Sequence, residues 1–433
     1  MNVDNESGNS IKASPTKEFF ISMLTRDIST DRAILDLIDN SIDAATQSGK
    51  VNATINLTIN SNTFSISDDA GGLDLEIAKE YAFRFGRSSK NPLTPNSVGQ
   101  FGVGMKRTLF KIGQEFIVES MKGGIAYQVH VDVDQWLADE NNWDFQYSLL
   151  KTPTVKEGET RITITRIRDE SKDLLGDSTF INTLSQEVSA AYFKKLHGGL
   201  KIVINGAQIK SDELTIKISE QLSCIKKQLD LDGVKVTIYC GVSDREWNDG
   251  GWYVVCNDRL VAQADQSTTT GWGVSTIPKY HADFAYFRGL VEFSSEDSSK
   301  LPWTTTKTGV DEDQKIYKAA LYHMSVAMKP VLTFLRELAQ ETTAFNEGTL
   351  KEMPLAASLT SAKSVRILES ATMDVFMRPE KLIPADEAKV AHIQYRVPLE
   401  RYELARAALS ANTMKEVGEQ TFDYFYTYEC KDE

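Results

Sequence analysis

Residues 30–49, TDRAILDLIDNSIDAATQSG, constrain this chain more than any other stretch, because they place two opposed faces on one helix. Thr30 can cap the start of that helix and Gly49 can stop it. At 100° per residue, Ile34, Leu37, Ile38 and Ala45 share one face. Asp36, Asn40 and Asp43, spaced i, i+4 and i+7, share the other. The apolar stripe calls for a packing partner, whereas the acids and amide either meet solvent or line a site. The segments that follow decide between these.

Val51, Ala53, Ile55, Leu57 and Ile59 alternate with polar residues, Ser61-Asn62 supplies a turn, and residues 63–67 return as a second strand. That strand runs into Asp68-Asp69-Ala70-Gly71-Gly72-Leu73, where glycines let the backbone turn sharply and approach a flat ligand. Acidic glycine turns are common, so this one acquires meaning only from its neighbours. Farther on, Ser97-Val98-Gly99-Gln100-Phe101-Gly102-Val103-Gly104-Met105-Lys106-Arg107 is a glycine-spaced loop ahead of a predicted helix at 106–111. Such a loop converges backbone N–H groups on an anion, and the positive end of a following helix adds to the attraction. It is not a Walker loop: Gly99 and Gly104 have the spacing, but Met105 stands where the lysine belongs. Nor is it a dinucleotide fingerprint, which needs glycine at Arg107 and a strand in place of the loop Asn91-Pro92-Leu93-Thr94-Pro95-Asn96.

In order and spacing these elements resemble the ATP-binding domain of the gyrase, heat-shock-chaperone, histidine-kinase and MutL (GHKL) superfamily. That pattern is a helix with ExxxN and S-x-D-A, a strand end with D-x-G-x-G, a GxxGxG lid, and a later strand threonine. Its counterparts here are Asp36 to Asn40 with Ser41-Ile42-Asp43-Ala44, then residues 68–72, then residues 99–104, then Thr160 in GETRITITRI. The resemblance implies a Bergerat-type two-layer α/β sandwich that binds ATP with Mg²⁺. Asn40 is implied as the metal ligand, its amide oxygen being a suitable hard donor. Asp68 is implied as acceptor for the adenine amino group, with Gly72 giving the base room and Thr160 holding its edge or a water. The resemblance also implies that Gly99, Gly102, Val103 and Gly104 cap the phosphates, with Lys106 as a cation beside them, and that Asp43 belongs to the same nucleotide-binding set. The usual catalytic glutamate is Asp36 here, one methylene shorter, which implies slow hydrolysis. Asp39 lies about 300° around the helix from Asp36 and is not expected to be the base. Ala70 replaces a glycine, small for small.

At 433 residues the chain suggests two or three domains. The expected divisions are an arm at 1–27, the ATP-binding domain at 28–195, a ribosomal-S5-like transducer domain at 196–341, a connector at 342–373 and a small C-terminal region at 374–433. Strands are expected at 200–205, 234–240 and 252–261. Gly251-Trp252-Tyr253-Val254-Val255-Cys256-Asn257-Asp258-Arg259 resembles a strand and turn of the MutL-like and MORC-like transducer. Residues 299–308, SKLPWTTTKT, resemble the transducer loop that returns a lysine to the γ-phosphate. Lys307 is assigned that role, with Lys300 as the alternate. Residues 311–340 read as a long helix that Pro330 kinks or divides, with His323 in the core or at its boundary. A connector with one short helix, an amphipathic helix at 399–409 and an aromatic cluster at 422–426, which either completes the core, as expected, or docks a partner, complete the reading.

A net charge of −13 disfavours a surface devoted to nucleic acid. The polar first 17 residues lack a secretory signal and no apolar run reaches the roughly 20 residues of a membrane span, so a cytoplasmic protein is expected. Cys224, Cys240, Cys256 and Cys430 have no CxxC spacing and are read as buried, reduced thiols. The resemblance then implies an ATPase whose nucleotide-driven homodimerisation gates a partner protein or a nucleic-acid transaction. Residues 16–27 could pack across that dimer or on their own subunit. Compact bacterial members of this kind resemble phage-defence or DNA-processing components. A non-hydrolysing ATP sensor is the alternative. A protein kinase is disfavoured, since no helical histidine dimerisation element precedes the site.

Overall fold

A computed structural model describes residues 15–86, 95–99, 102–140, 142–370, 372–382 and 393–430. The arm before residue 15, loop residues 91–94 and the lid residues Gln100 and Phe101 lie outside these. The chain divides into two compact units, Met1–Leu382 and Ile383–Glu433.

In the first unit, helices α1 (Lys17–Arg26), α2 (Thr30–Ser48), α3 (Gly104–Ile112) and α4 (Ser178–Ala191) accompany an eight-stranded sheet. Its strands are β1 (Thr54–Ile59), β2 (Phe64–Asp68), β3 (Gly113–Lys122), β4 (Ile125–Asp132), β5 (Tyr147–Leu149), β6 (Thr160–Ile167), β7 (Lys201–Ile204) and β8 (Ala207–Gln208). They lie in the order β5-β4-β3-β6-β2-β1-β7-β8. Ser29, not Thr30, is the N-cap of α2, and Gly49 ends it at φ 71°, its N–H directed at the carbonyls of Ala45 and Thr46. Ile34, Ile38 and Ile42 of α2 are buried in one core with Ile55, Leu57, Phe64 and Ile66. Each such side chain contributes about 1.5–3 kcal/mol by leaving water, so the apolar stripe fixes which way the polar face of α2 points.

A second sheet contains β9 (Cys224–Leu231), β10 (Val234–Val242), β11 (Gly251–Cys256), β12 (Arg259–Asp265), β13 (Phe287–Ser294) and β14 (Thr372–Met373), in the order β12-β11-β13-β10-β9-β14. Helix α5 (Lys315–Asn346) covers it, burying Tyr317, Met324, Met328, Val331 and Leu335 in one core with Trp252, Val254, Phe287 and Val291.

Several expectations are corrected. The single strand at 252–261 is the hairpin β11–β12, turning through Asn257 at φ 44° and Asp258 at φ 63°, left-handed conformations that Asn and Asp tolerate. The strand expected at 200–205 to open the second region instead pairs in parallel with β1. Pro330 does not divide α5. The core contacts of Met328, Val331 and Leu332 on either side outweigh the roughly 3 kcal/mol penalty of an internal proline. Beyond its short helix, Pro354–Ser361, the connector adds two strand pieces: Lys363–Arg366 pairs with Thr215–Ile218, and β14 pairs with β9. His323 is half-buried at a boundary, as expected, with Nδ1 3.0 Å from the Lys227 amine. Helix α1 packs on its own subunit: the Lys17 amine donates to the Asn142 carbonyl at 2.7 Å, and the Phe20 ring meets Phe85 edge-on at 4.8 Å. Cys224, Cys240 and Cys256 are buried and free, but Cys430 is exposed.

In the second unit, α6 (Leu399–Leu409) and α7 (Met414–Glu429) follow one another, with a capping box between Thr413 and Glu416 opening α7. Phe422, Tyr424, Phe425 and Tyr426 are exposed, contrary to the core reading. Two helices enclose little interior, and Ala411 and Val417 are its buried apolar residues among those described.

Candidate nucleotide site

The acids on the polar face of α2 are not solvated. Asp36, Asp39 and Asp43 are buried, while Asn40 is exposed. Buried carboxylates require partners, and each has a different set.

At the sheet end, Asp68 closes β2 and pairs across the ladder with Thr160 of β6, which pairs in turn with Ser120 of β3. Asp68 accepts from the Ser41 hydroxyl at 2.7 Å and the Ala70 amide at 3.0 Å. Burial pushes its carboxyl up to about 6 despite these two donors. The Ser120 and Thr160 hydroxyls lie 3.0 Å apart, and Ser120 accepts from the Leu73 amide at 2.7 Å. Gly72 sits at φ 71°, and a Cβ there would lie 2.4 Å from the Met121 carbonyl oxygen, so no other residue fits this turn. The row Asp68, Thr160, Ser120 beside a glycine turn is a flat polar edge of the kind that reads a heterocycle.

At the start of the lid, Asp43 accepts from the amides of Val98 at 2.7 Å and Gly99 at 2.6 Å. Burial raises its carboxyl to about 6 against the pull of both amides. The second sheet holds the same segment from the other side. Val98 is buried in the second core, and the Asn257 amide donates to the Ser97 carbonyl at 3.3 Å. After the undescribed pair, Gly102 takes φ 64° and Val103 is the N-cap of α3. A Cβ on Gly104 would stand 3.2 Å from the Asp36 carboxyl carbon, so the lid backbone rests on that acid. Lys106, expected as a cation beside the phosphates, directs its amine elsewhere. It is buried, donates to the Ala82 carbonyl at 2.9 Å, and burial pulls its amine down to about 8.

Between the two ends lies a charged cluster. Lys307 sits at the tip of a loop whose feet, Trp303 and Val310, form a bridge, and takes φ 55°. Its amine is 2.7 Å from Asp39 Oδ2 and 3.5 Å from Asp36 Oδ1. The alternate, Lys300, donates instead to the Asp232 carbonyl. Asp39 Oδ1 accepts from Arg259 Nε at 3.2 Å and the Tyr192 hydroxyl at 2.7 Å. The Arg259 guanidinium lies over the Tyr192 ring, 4.7 Å from its centroid. Burial alone would raise the Asp39 carboxyl, but Lys307 and Arg259 outweigh it and hold it below the ordinary range. Burial opposes the charge on Lys307 too, and Asp39 and Asp36 overcome it, raising the amine. Arg107 of α3 pairs with Asp36 Oδ2.

Residues 28–165 match the family model for histidine kinase-, DNA gyrase B- and HSP90-like ATPases. The chain carries a GHKL-type ATPase domain. The matched model describes ATPases, and every assigned site residue except Lys307 falls within the matched span. No curated protein matches the chain. Among the described residues, no helix is long and apolar enough to cross a membrane. Sequence reading passed over Ser120, Tyr192, Arg107 and Arg259. The cross-strand position of Ser120 and the burial of Tyr192 depend on the fold, and Arg107 and Arg259 were visible only as members of motifs.

Proposed function

We propose that this GHKL-type protein binds ATP as its magnesium complex, hydrolyses it slowly, and uses the γ-phosphate to join its second sheet to its nucleotide helix in a dimerisation-coupled switch. The observation that carries this reading is the Lys307 amine, delivered by a loop outside the matched domain to Asp39 and Asp36 of α2. Three cations, Lys307, Arg259 and Arg107, meet two carboxylates, Asp36 and Asp39, in this cluster. Lys307, brought in by a loop outside the matched domain, is the cation that would meet an incoming phosphate. Asp68, Thr160 and Gly72 would take the adenine. Gly102, Val103 and Gly104 would take the phosphates, with Gly99, its amide held by Asp43, fixing the start of the lid.

Magnesium fits the donor set. Among the described residues no group of three or more His, Cys, Asp or Glu could hold a metal by itself. A magnesium ion commonly rides on substrate phosphates with one or two protein ligands, and the exposed amide of Asn40 would be one of them. When bound, the ion would neutralise phosphate charge. The chain's own contribution is Asp36 as general base and Lys307 as counterion.

Arginine pairing of the shortened Asp36 favours one other reading, a sensor that binds ATP without turning it over. Phosphate release with magnesium, measured beside analogue-driven dimerisation, separates the two. Turnover lost in Asp36→Ala together with analogue-dependent dimers supports the switch. Tight binding without turnover supports the sensor, and no nucleotide binding sinks both.

A further inference from the structure

Asp36 is an unusual general base in one respect: its two oxygens have different surroundings. Oδ2 accepts from Arg107 Nη2, an ion pair whose side chains are 14% and 8% exposed. Oδ1 has the Lys307 amine at 3.5 Å, too far for a good hydrogen bond, because Asp39 holds that amine at 2.7 Å. The Nε–H of Arg107 is buried with no acceptor among the described residues, so Asp36 is the group that orients the guanidinium. Gly104, three residues before Arg107 on α3, packs its backbone against the same carboxylate. An aspartate is shorter than the family's glutamate, and rotation about its side-chain bonds would exchange its two oxygens.

We propose that Arg107 is the positioning residue for Asp36. It fixes Oδ2 and thereby leaves Oδ1 as the oxygen that receives the proton. The inference rests on the hydrolytic reading above. In the step it serves, water oxygen bonds to the γ-phosphorus, the bond from that phosphorus to the β,γ-bridging oxygen breaks, and ADP leaves with that oxygen. The water proton passes to Oδ1 and then to solvent. Arg107 itself touches neither water nor phosphate and acts through the carboxylate. Because it sits three residues beyond Gly104, the same contact ties the lid helix to the orientation of the base.

The test compares full-length wild type, Arg107→Ala, Arg107→Lys, Asp36→Asn and the Arg107→Ala/Asp36→Asn pair, reading kcat, KM and the Kd of a non-hydrolysable ATP analogue. Arg107→Ala is expected to lower kcat about 10–100-fold, with KM and analogue Kd within about threefold of wild type. Arg107→Lys keeps the charge without the planar fork and should recover part of the loss. In the Asp36→Asn background, removing Arg107 should cost nothing further, since the two act as a unit. A rise in kcat would make Arg107 a brake, and a selective loss of analogue binding would make it a phosphate ligand; either overturns the proposal. Should Arg107→Ala fail to fold, Arg107→Lys with kcat unchanged would overturn it, and a kcat loss confined to the Asp36-containing background would support it. Wild type that binds the analogue but releases no phosphate overturns the hydrolytic reading along with it, whereas normal wild-type turnover left unchanged in Arg107→Ala overturns this proposal alone.

Discussion

The Lys307 amine lies 2.7 Å from Asp39 and 3.5 Å from Asp36, so this loop lysine rests on Asp39 and only approaches Asp36, the proposed base. Lys307→Ala should lower turnover by about 10²–10³-fold, the scale for losing one preorganised charge at a developing anion. Adenine-end contacts are untouched, so ADP affinity should change little. Steady-state phosphate release and ADP titration check both expectations.

Asp39 is the anchor of that arrangement. Asp39→Ala leaves Lys307 and Arg259 buried together without their shared carboxylate, and breaking a buried ion pair in this way costs about 3–5 kcal/mol. A clear drop in the thermal midpoint, larger than that of Lys307→Ala, is expected. Equal midpoints for Asp39→Ala and wild type would show that the cluster contributes no stability.

Asp36→Ala removes the proposed base and leaves the adenine edge intact. Turnover should fall by about 10²–10⁴-fold while the non-hydrolysable analogue still binds. Asn40→Ala should instead abolish the magnesium dependence of binding, measured as the ratio of analogue Kd with and without the ion.

Asp43 and Asp68 both hold their protons up to about pH 6 in the folded chain, whereas unfolded aspartate releases them near pH 4. The folded state therefore binds more protons between those values. Their contribution to stability is fully present below about pH 4, falls as pH rises to about 6, and is level above that. Binding should move the opposite way. In the proposed site ionised Asp68 would accept from an adenine amino group, so analogue affinity should weaken by up to about tenfold for each pH unit below 6. Calorimetric titration from pH 5 to 8 tests this, and Asp68→Asn should flatten the profile.

The contact between Asp43 and the lid gives one more expectation. Asp43→Ala strands the Val98 and Gly99 amides, a loss of about 1–3 kcal/mol for each buried donor left unpaired. Protease cleavage near the lid should become faster, and nucleotide should restore part of the protection.

Much of this was legible in the chain itself. The 3.6-residue stripe of Ile34, Leu37, Ile38 and Ala45, the hairpin ending at Asp68, and the glycines from 99 to 104 are local patterns, set by backbone geometry and by which side chains leave water. They were enough to determine an α/β domain of the GHKL type and to name the segments that meet at its candidate site. Tertiary structure alone decided the charges. Whether Lys106 faces phosphate or the Ala82 carbonyl, whether Lys307 or Lys300 reaches α2, and which acid each cation chooses depend on distances between segments up to 268 residues apart. A buried ion pair balances desolvation against proximity, and proximity is a property of the packed fold rather than of any window of sequence.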